Sequence, residues 1–265
     1  MQQSATLLGI AWDLQEDKMA FDTKKCDNWP ATKRVFLAYT AEFYDPLGLF
    51  THATLSLKLF LQHLWKKEYD WDQPFDNTVR QTAAALLERF QGQSLKLDRK
   101  LTAELDKKCA EIHVFVDASR SAYSAVVYLR SYSQDRYENS LLKSKSRSGP
   151  ILALIPRLNK GSIDWKQVAE LRKRAVEAHG IHVPLERFTG DLVDNWIATA
   201  TTVDRFVDNR LAEIRRSPAQ FRYVDSGNNP VDLTTRSLTI AELRQCGQWW
   251  EGPLFLQQES RYWPE

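Results

Sequence analysis

The apolar residues of this chain change period near residue 110: helical spacing dominates before that point and strand spacing after it. No all-α or all-β fold satisfies both halves, so the sequence predicts a mixed α/β protein. Ahead of the change, Leu8, Ile10 and Trp12 alternate with small or polar neighbours. A charged turn, Gln15-Glu16-Asp17-Lys18, follows, and Met19 and Phe21 resume the alternation, which predicts a β-hairpin. Beyond Pro30, Phe36, Tyr39 and Phe43 share one helical face, and that helix has to end before Asp45-Pro46, because a residue preceding proline is pushed out of the α region. A second helix gathers Leu57, Phe60, Leu61, Leu64 and Trp65 on one stripe, and a third runs from about Thr78 to Phe90. The segment Leu95 to Cys109 is charged, carries no clear apolar face and reads as a connector.

After Glu111, Ile112-His113-Val114-Phe115-Val116 leads into Asp117-Ala118-Ser119. Ala125-Val126-Val127-Tyr128-Leu129 follows, and Leu141-Leu142 opens a third candidate strand, so an antiparallel meander is expected. Trp165, Val168, Leu171 and Ala175 return to helical spacing, with Asp164 as N-cap and Gln167 three residues on. Val203, Phe206, Arg210 and Ile214 mark another helix and Phe221 to Val224 a last strand, a mixed sheet flanked by helices.

Composition narrows the classes. At 265 residues the chain has room for one large domain or two modest ones, and 43% hydrophobic with 26% charged residues is a globular balance. The formal charge of +2 supplies no global field for nucleic acid or membrane, so a basic footprint has to be local. The sequence opens on no signal peptide, and its longest apolar stretches, such as Ile151 to Ile155, fall far short of the roughly 20 residues that span a bilayer. Three separated cysteines, Cys26, Cys109 and Cys246, fit a reducing compartment rather than a disulfide framework or a zinc cluster.

Two aspartates sit where chemistry is done. Asp117 closes a strand and is followed by small residues, and Gly227-Asn228-Asn229-Pro230-Val231-Asp232 is a tight turn that delivers a second carboxylate at a helix start. Taken alone, the first is a turn former and the second compensates a helix dipole. Carboxylates converging on one point would instead hold Mg²⁺, which takes oxygen ligands. Between Asn139 and Ile163, Lys143, Lys145, Arg147, Arg157 and Lys160 occur with no acidic residue. This row either tracks a nucleic-acid backbone or is a solvated strand edge kept from aggregating by its lysines. Lys58, Lys66 and Lys67 read as helix surface. Glu177, His179 and His182 have no Cys or further His at ligand spacing, which speaks against zinc. Trp12, Trp65, Trp196, Trp249 and Trp250 read as core packing.

Several motifs run in order along nearly the whole chain: Leu8-Gly9-Ile10-Ala11-Trp12-Asp13, Asp45-Pro46-Leu47-Gly48-Leu49, Leu64-Trp65 with Asp70-Trp71-Asp72, and His113 to Ser119. They continue with Ala125 to Leu129, Lys145-Ser146-Arg147, Ile155-Pro156-Arg157-Leu158, Asn229 to Arg236, and Trp249-Trp250-Glu251-Gly252-Pro253. In these motifs the chain resembles the Bel/Pao retrotransposon polyprotein, in the stretch that follows the reverse-transcriptase palm and includes its ribonuclease-H-like domain. The resemblance implies a thumb- and connection-like region at 1–110, a degenerate ribonuclease-H-like domain at 111–245 and a Trp-Trp-x-Gly-Pro extension at 246–265. It also implies an RNA–DNA hybrid or other nucleic acid as partner, recognised through A-form geometry, phosphates and the 2′-OH, together with other parts of a retroelement polyprotein.

The family's site has four acidic positions. Asp117 fits the first and Asp232 the last. The second, after Ile-Pro-Arg-Leu, is Asn159 here. The third, seven residues before Trp196-Ile197, is Thr189, with Asp191 two residues on and Glu170 as a remote stand-in for the second. With two of four positions substituted, the two-Mg²⁺ site that the family implies is weakened or lost, and catalysis with it. Two readings stand. One is an active Mg²⁺-dependent ribonuclease H with Asp117, Asp232 and Asp191 as catalytic ligands. The other is a non-catalytic binding module or remnant. The palm's Tyr-x-Asp-Asp motif belongs upstream of Leu8 in the family, and no protease or integrase segment follows Glu265. The chain therefore reads as a fragment without polymerase, protease or integrase activity. Such elements are reverse-transcribed in the cytoplasm, the expected location, and a co-opted fragment would be nuclear.

Overall fold

A computed structural model describes residues 4–7, 10–23, 30–89, 92–100, 110–118, 122–133, 135–148, 185–189, 220–236 and 238–264. The predicted hairpin is present as β2 (Ile10–Asp13) and β3 (Lys18–Asp22). Its turn is closed by the Asp13 carboxylate, which accepts from the backbone N–H groups of Gln15 at 3.0 Å and Glu16 at 3.2 Å. The hairpin is the middle of a four-stranded antiparallel sheet completed by β1 (Ser4–Leu7) and β4 (Ser94–Asp98). Strand β4 corrects the start of the segment read as a connector, Leu95 to Cys109, of which 101–109 lie outside the described residues. Leu95 and Leu97 pair with Phe21 and Met19, and Leu95 is buried while Lys96 between them faces water. Two leucines inside a charged run are enough for a strand once a distant partner supplies the pairing.

Between β3 and β4 lie α1 (Lys33–Ala41), α2 (Thr51–Lys66) and α3 (Asn77–Glu88). Caps set two of their starts. The Thr32 hydroxyl accepts from Val35 N at 3.4 Å and the Asp76 carboxylate from Val79 N at 2.9 Å. Phe36, Phe60, Leu64, Ala83 and Leu87 are buried where these helices meet. Helix α2 is buried along two faces, because it also packs against the second sheet and the turn Pro230–Thr235. Trp65 departs from the expected core stripe and is half exposed. It sits at the last turn of α2, where its ring lies 3.8 Å from the Lys33 ammonium and edge-on to Trp71. There it shields a buried cation that also donates to the Tyr69 carbonyl.

The second sheet has the order β7-β6-β5-β8-β9. Strands β5 (Ala110–Ala118), β6 (Ala122–Ser133) and β7 (Arg136–Ser148) form the expected antiparallel meander, its third strand opening at Arg136 rather than Leu141. Strands β8 (Leu185–Thr189) and β9 (Gln220–Tyr223) run parallel to β5 on its other side. The helices predicted around Trp165 to Ala175 and Val203 to Ile214 lie outside the described residues. No helix among the described residues is long and apolar enough to cross a membrane.

The chain ends in α4 (Ile240–Arg244), α5 (Gly247–Glu251) and two short 3-10 turns. Thr239 and Glu242 close a capping box at the start of α4. Trp249 is fully buried and its indole N–H donates to the Leu49 carbonyl at 2.9 Å, which ties the C-terminal segment to the start of α2. A single core runs from Phe21 and Phe36 through Phe115 and Tyr128 to Trp249 and Trp263.

Arg130 pins the C-terminal segment. Its guanidinium donates to the carbonyls of Leu256 and Gln258 at 2.7 Å each and to Glu111 at 2.6 Å, and it lies 3.5 Å from the centroid of the Tyr137 ring. Arg130→Met is expected to strand two carbonyls and a carboxylate at a cost of about 2–3 kcal/mol. Amide exchange in 254–263 should then rise at least tenfold over wild type. Unchanged protection would mean that apolar packing alone holds the segment.

Candidate acidic site and nucleic-acid interface

Asp117 lies one residue from the C-terminal end of β5, half-buried, and pairs in register with Ser124 of β6. On its other side β8 ends level with it: Thr189 is the register partner of Val116. Thr189 therefore ends the strand next to Asp117. Asp191, Asn159, Arg157, Lys160, Glu170, Glu177, His179 and His182 lie outside the described residues.

Asp232 arrives by a turn that its neighbours shape. The Asp225 carboxylate accepts from the N–H groups of Gly227 at 2.9 Å and Asn228 at 3.2 Å, which folds the chain back. The side-chain oxygen of Asn229 then accepts from Val231 N at 3.1 Å and starts the 3-10 turn Pro230–Thr235. Both flanks of Asp232 are tied to the sheet beside Asp117. The Asn229 amide donates to the Val116 carbonyl at 3.5 Å, one residue before Asp117. The Thr234 hydroxyl lies 3.0 Å from that of Ser124, the residue paired with Asp117. Thr234 and Asn229 are buried, Asp232 half-buried. The turn that carries Asp232 thus docks at the strand end that carries Asp117.

Two carboxylates on neighbouring elements are the ligand type of a hard cation. Mg²⁺ is commonly held by one or two carboxylates with the rest of its octahedron taken by water and substrate phosphate. A two-ion clamp requires more oxygen ligands than Asp117 and Asp232 provide. Among the described residues no three His, Cys, Asp or Glu side chains are grouped for a metal.

The cations stand apart from this pair. Ser146 is the register partner of Ser124 and so shares the face of Asp117, whereas Lys145 and Arg147 pair with Ala125 and Tyr123 on the opposite face. Lys143 and Lys145 are exposed on β7, the edge strand of the sheet. Helix α2 adds a cation that the sequence places elsewhere, since the Lys58 ammonium donates to the Ser146 carbonyl at 3.3 Å. Burial, then Arg147 and Lys145, depress its pKa below the ordinary lysine value against the opposing pull of Asp45. No local pattern signals this contact, because 88 positions separate the two residues.

The junction between α2 and β7 is the motif Asp45-Pro46-Leu47-Gly48-Leu49. The Asp45 carboxylate accepts from the N–H groups of Leu49 and Phe50 at 2.8 Å each, and burial pushes its pKa above the ordinary carboxylate range. Ser144 N–H donates to the Leu47 carbonyl at 2.8 Å, and its hydroxyl donates to the Gly48 carbonyl and meets that of Thr51.

The Pao retrotransposon-like RNaseH-like domain family matches residues 32–179. No curated protein matches the chain. Among solved structures, the foamy viral protease-reverse transcriptase in complex with dsDNA is similar over 84% of this chain and 45% of its own, at 14% identity and a TM-score of 0.23. A Ppx/GppA family member from Aquifex aeolicus is similar over 44% of this chain and 35% of its own, at 6% identity and a TM-score of 0.22. The chain thus spans less than half the length of each. With 32–179 covering more than half of its 265 residues, this chain belongs to the Pao retrotransposon-like RNaseH-like domain family.

Proposed function

We propose that this chain is a nucleic-acid-binding, ribonuclease-H-like module of a Pao-type retrotransposon polyprotein whose hydrolysis of RNA in RNA–DNA hybrids is impaired. The observation that carries the reading is the docking of the Asn229–Thr234 turn on the strand end that bears Asp117, with Thr189 where a third carboxylate is expected. Asp117 and Asp232 would hold one Mg²⁺, which supplies charge neutralisation at a bridging phosphate. Asn229 and Thr234 position Asp232, and Ser124 fixes the strand end. A second ion has too few carboxylates to be held tightly. Lys58, Lys143, Lys145 and Arg147 neutralise backbone phosphates along the β7 edge, and the sequence offers Arg157 and Lys160 as further phosphate contacts. Other parts of the polyprotein are its natural neighbours, and the cytoplasm its place of work.

The test is Mg²⁺-dependent cleavage of the RNA strand of a labelled hybrid, run beside Asp117→Asn, with the binding isotherm taken from the same samples. The expected result is binding that weakens steeply with salt and cleavage no faster than in Asp117→Asn. Cleavage that vanishes in the variant would establish the active enzyme instead. Absence of binding at low salt would leave a remnant without a nucleic-acid surface.

A further inference from the structure

Beside the cation row, α1, α2 and β7 enclose a cavity of about 460 Å³, within the size range of small-ligand sites. One wall is apolar, with Leu37, Phe43, Leu57 and Leu61. The rim carries Lys58, Lys143 and Lys145. Asp45 is the one acid lining it, and its carboxylate is already engaged by the Leu49 and Phe50 N–H groups. The lining residues thus include three lysines against one acid, an excess of positive charge in the walls of an apolar slot. Burial and the neighbouring Lys145 and Arg147 already disfavour the charge on Lys58, so an anion placed there relieves an existing repulsion. Thr40 and Thr54 give their hydroxyl protons to the carbonyls of Leu37 and Thr51, at 2.8 and 3.3 Å, and keep lone pairs that can accept from an amino group.

An apolar slot, hydroxyl acceptors and a lysine rim match one ligand chemistry: a flat, amine-bearing ring attached to a phosphate. We propose that this cavity takes a single unpaired nucleotide of a bound strand, its base against Leu37, Phe43, Leu57 and Leu61 and its phosphate on Lys58, Lys143 and Lys145. The cavity is too small for a duplex, so it selects strand ends, overhangs and bulges. The inference rests on the nucleic-acid reading above and adds to it a preference among nucleic acids. Its place at the β7 edge puts the nucleotide in line with Lys145 and Arg147, which continue the phosphate track.

The experiment compares the affinity of the chain for a blunt RNA–DNA hybrid with that for the same hybrid carrying a short single-stranded overhang, by fluorescence anisotropy at fixed salt. The overhang is expected to bind roughly tenfold more tightly, the scale of burying one base. Leu61→Trp, which fills the slot, should bring the ratio of the two affinities to about one. Lys143→Ala, an exposed change that leaves packing alone, should lower the same ratio if the tryptophan variant fails to fold. Equal binding of the two hybrids by the wild-type chain overturns this inference and leaves the module's function standing. Absence of binding to either overturns both. Tight binding of a free nucleoside monophosphate without any overhang gain would identify a mononucleotide site and overturn the strand-end assignment.

Discussion

Replacing Gly48 by alanine is expected to lower the unfolding free energy by about 4 kcal/mol, a fall in melting temperature of roughly 10 °C for a chain of this size. Gly48 has φ of +74°, where an L-residue is strained by about 1–2 kcal/mol. A Cβ added there would lie 1.9 Å from the Ser144 carbonyl oxygen and 2.7 Å from its carbon. Both are backbone atoms of β7, so no side chain can swing away. Relief requires the turn before α2 to lift off the strand, which stretches the bonds of Ser144 to Leu47, Gly48 and Thr51. Those bonds are worth about 1 kcal/mol apiece. Gly247→Ala is the control, because nothing lies within 4 Å of its added Cβ, and its effect should stay within about 0.5 kcal/mol. Thermal melts of the two variants beside wild type decide the matter. A Gly48→Ala protein melting within about 2 °C of wild type would show that this turn does not fasten α2 to the sheet.

The same turn illustrates what the sequence can and cannot disclose. Asp45-Pro46 announces the end of α1 through a local steric rule, and α1 does stop at Ala41. That the next three residues seat the helix on β7 is written nowhere nearby, since Ser144 lies 96 positions from Gly48. The hairpin, α3 and the meander were legible for the first reason: each is specified by neighbours in sequence. Strand β4, the Lys58 contact and the outward position of Trp65 were hidden for the second. The candidate site divides in the same way. Asp117 and Asp232 are visible as a strand end and a turn, but the docking of that turn on that strand end depends on Asn229 reaching Val116 and Thr234 reaching Ser124, pairings more than 100 positions long. The acid-free row that marked Lys143, Lys145 and Arg147 could not say that Lys145 and Arg147 lie on the sheet face opposite Asp117.

Acid is expected to destabilise the protein well above the pH at which carboxylates titrate, and His52 is the reason. The ring is fully buried on α2, edge-on to Trp249 with centroids 5.3 Å apart, and neither ring nitrogen has a hydrogen-bond partner. Sequence periodicity gives no hint of this, because it presumes that a helix has one wet face, and α2 has packing on both. Burial lowers the pKa of His52 from 6.5 to about 4. In the unfolded chain the imidazole takes up a proton as the pH drops through 6.5, whereas in the folded chain it stays neutral until about pH 4. Unfolding therefore gains a proton throughout that window, and stability falls as the pH falls. At 1.36 kcal/mol per pH unit the loss approaches about 3 kcal/mol near pH 4, below which this contribution levels off. His52→Leu removes the titration together with two unsatisfied nitrogens, so it should match or exceed wild-type stability at pH 7 and lose far less on acidification. Urea melts of both proteins at pH 7, 6, 5 and 4 supply the measurement. The gap between the two curves isolates this one ring from every other titrating group, and a gap that stays constant from pH 7 to pH 4 would mean that His52 finds a partner for its charge in the folded state.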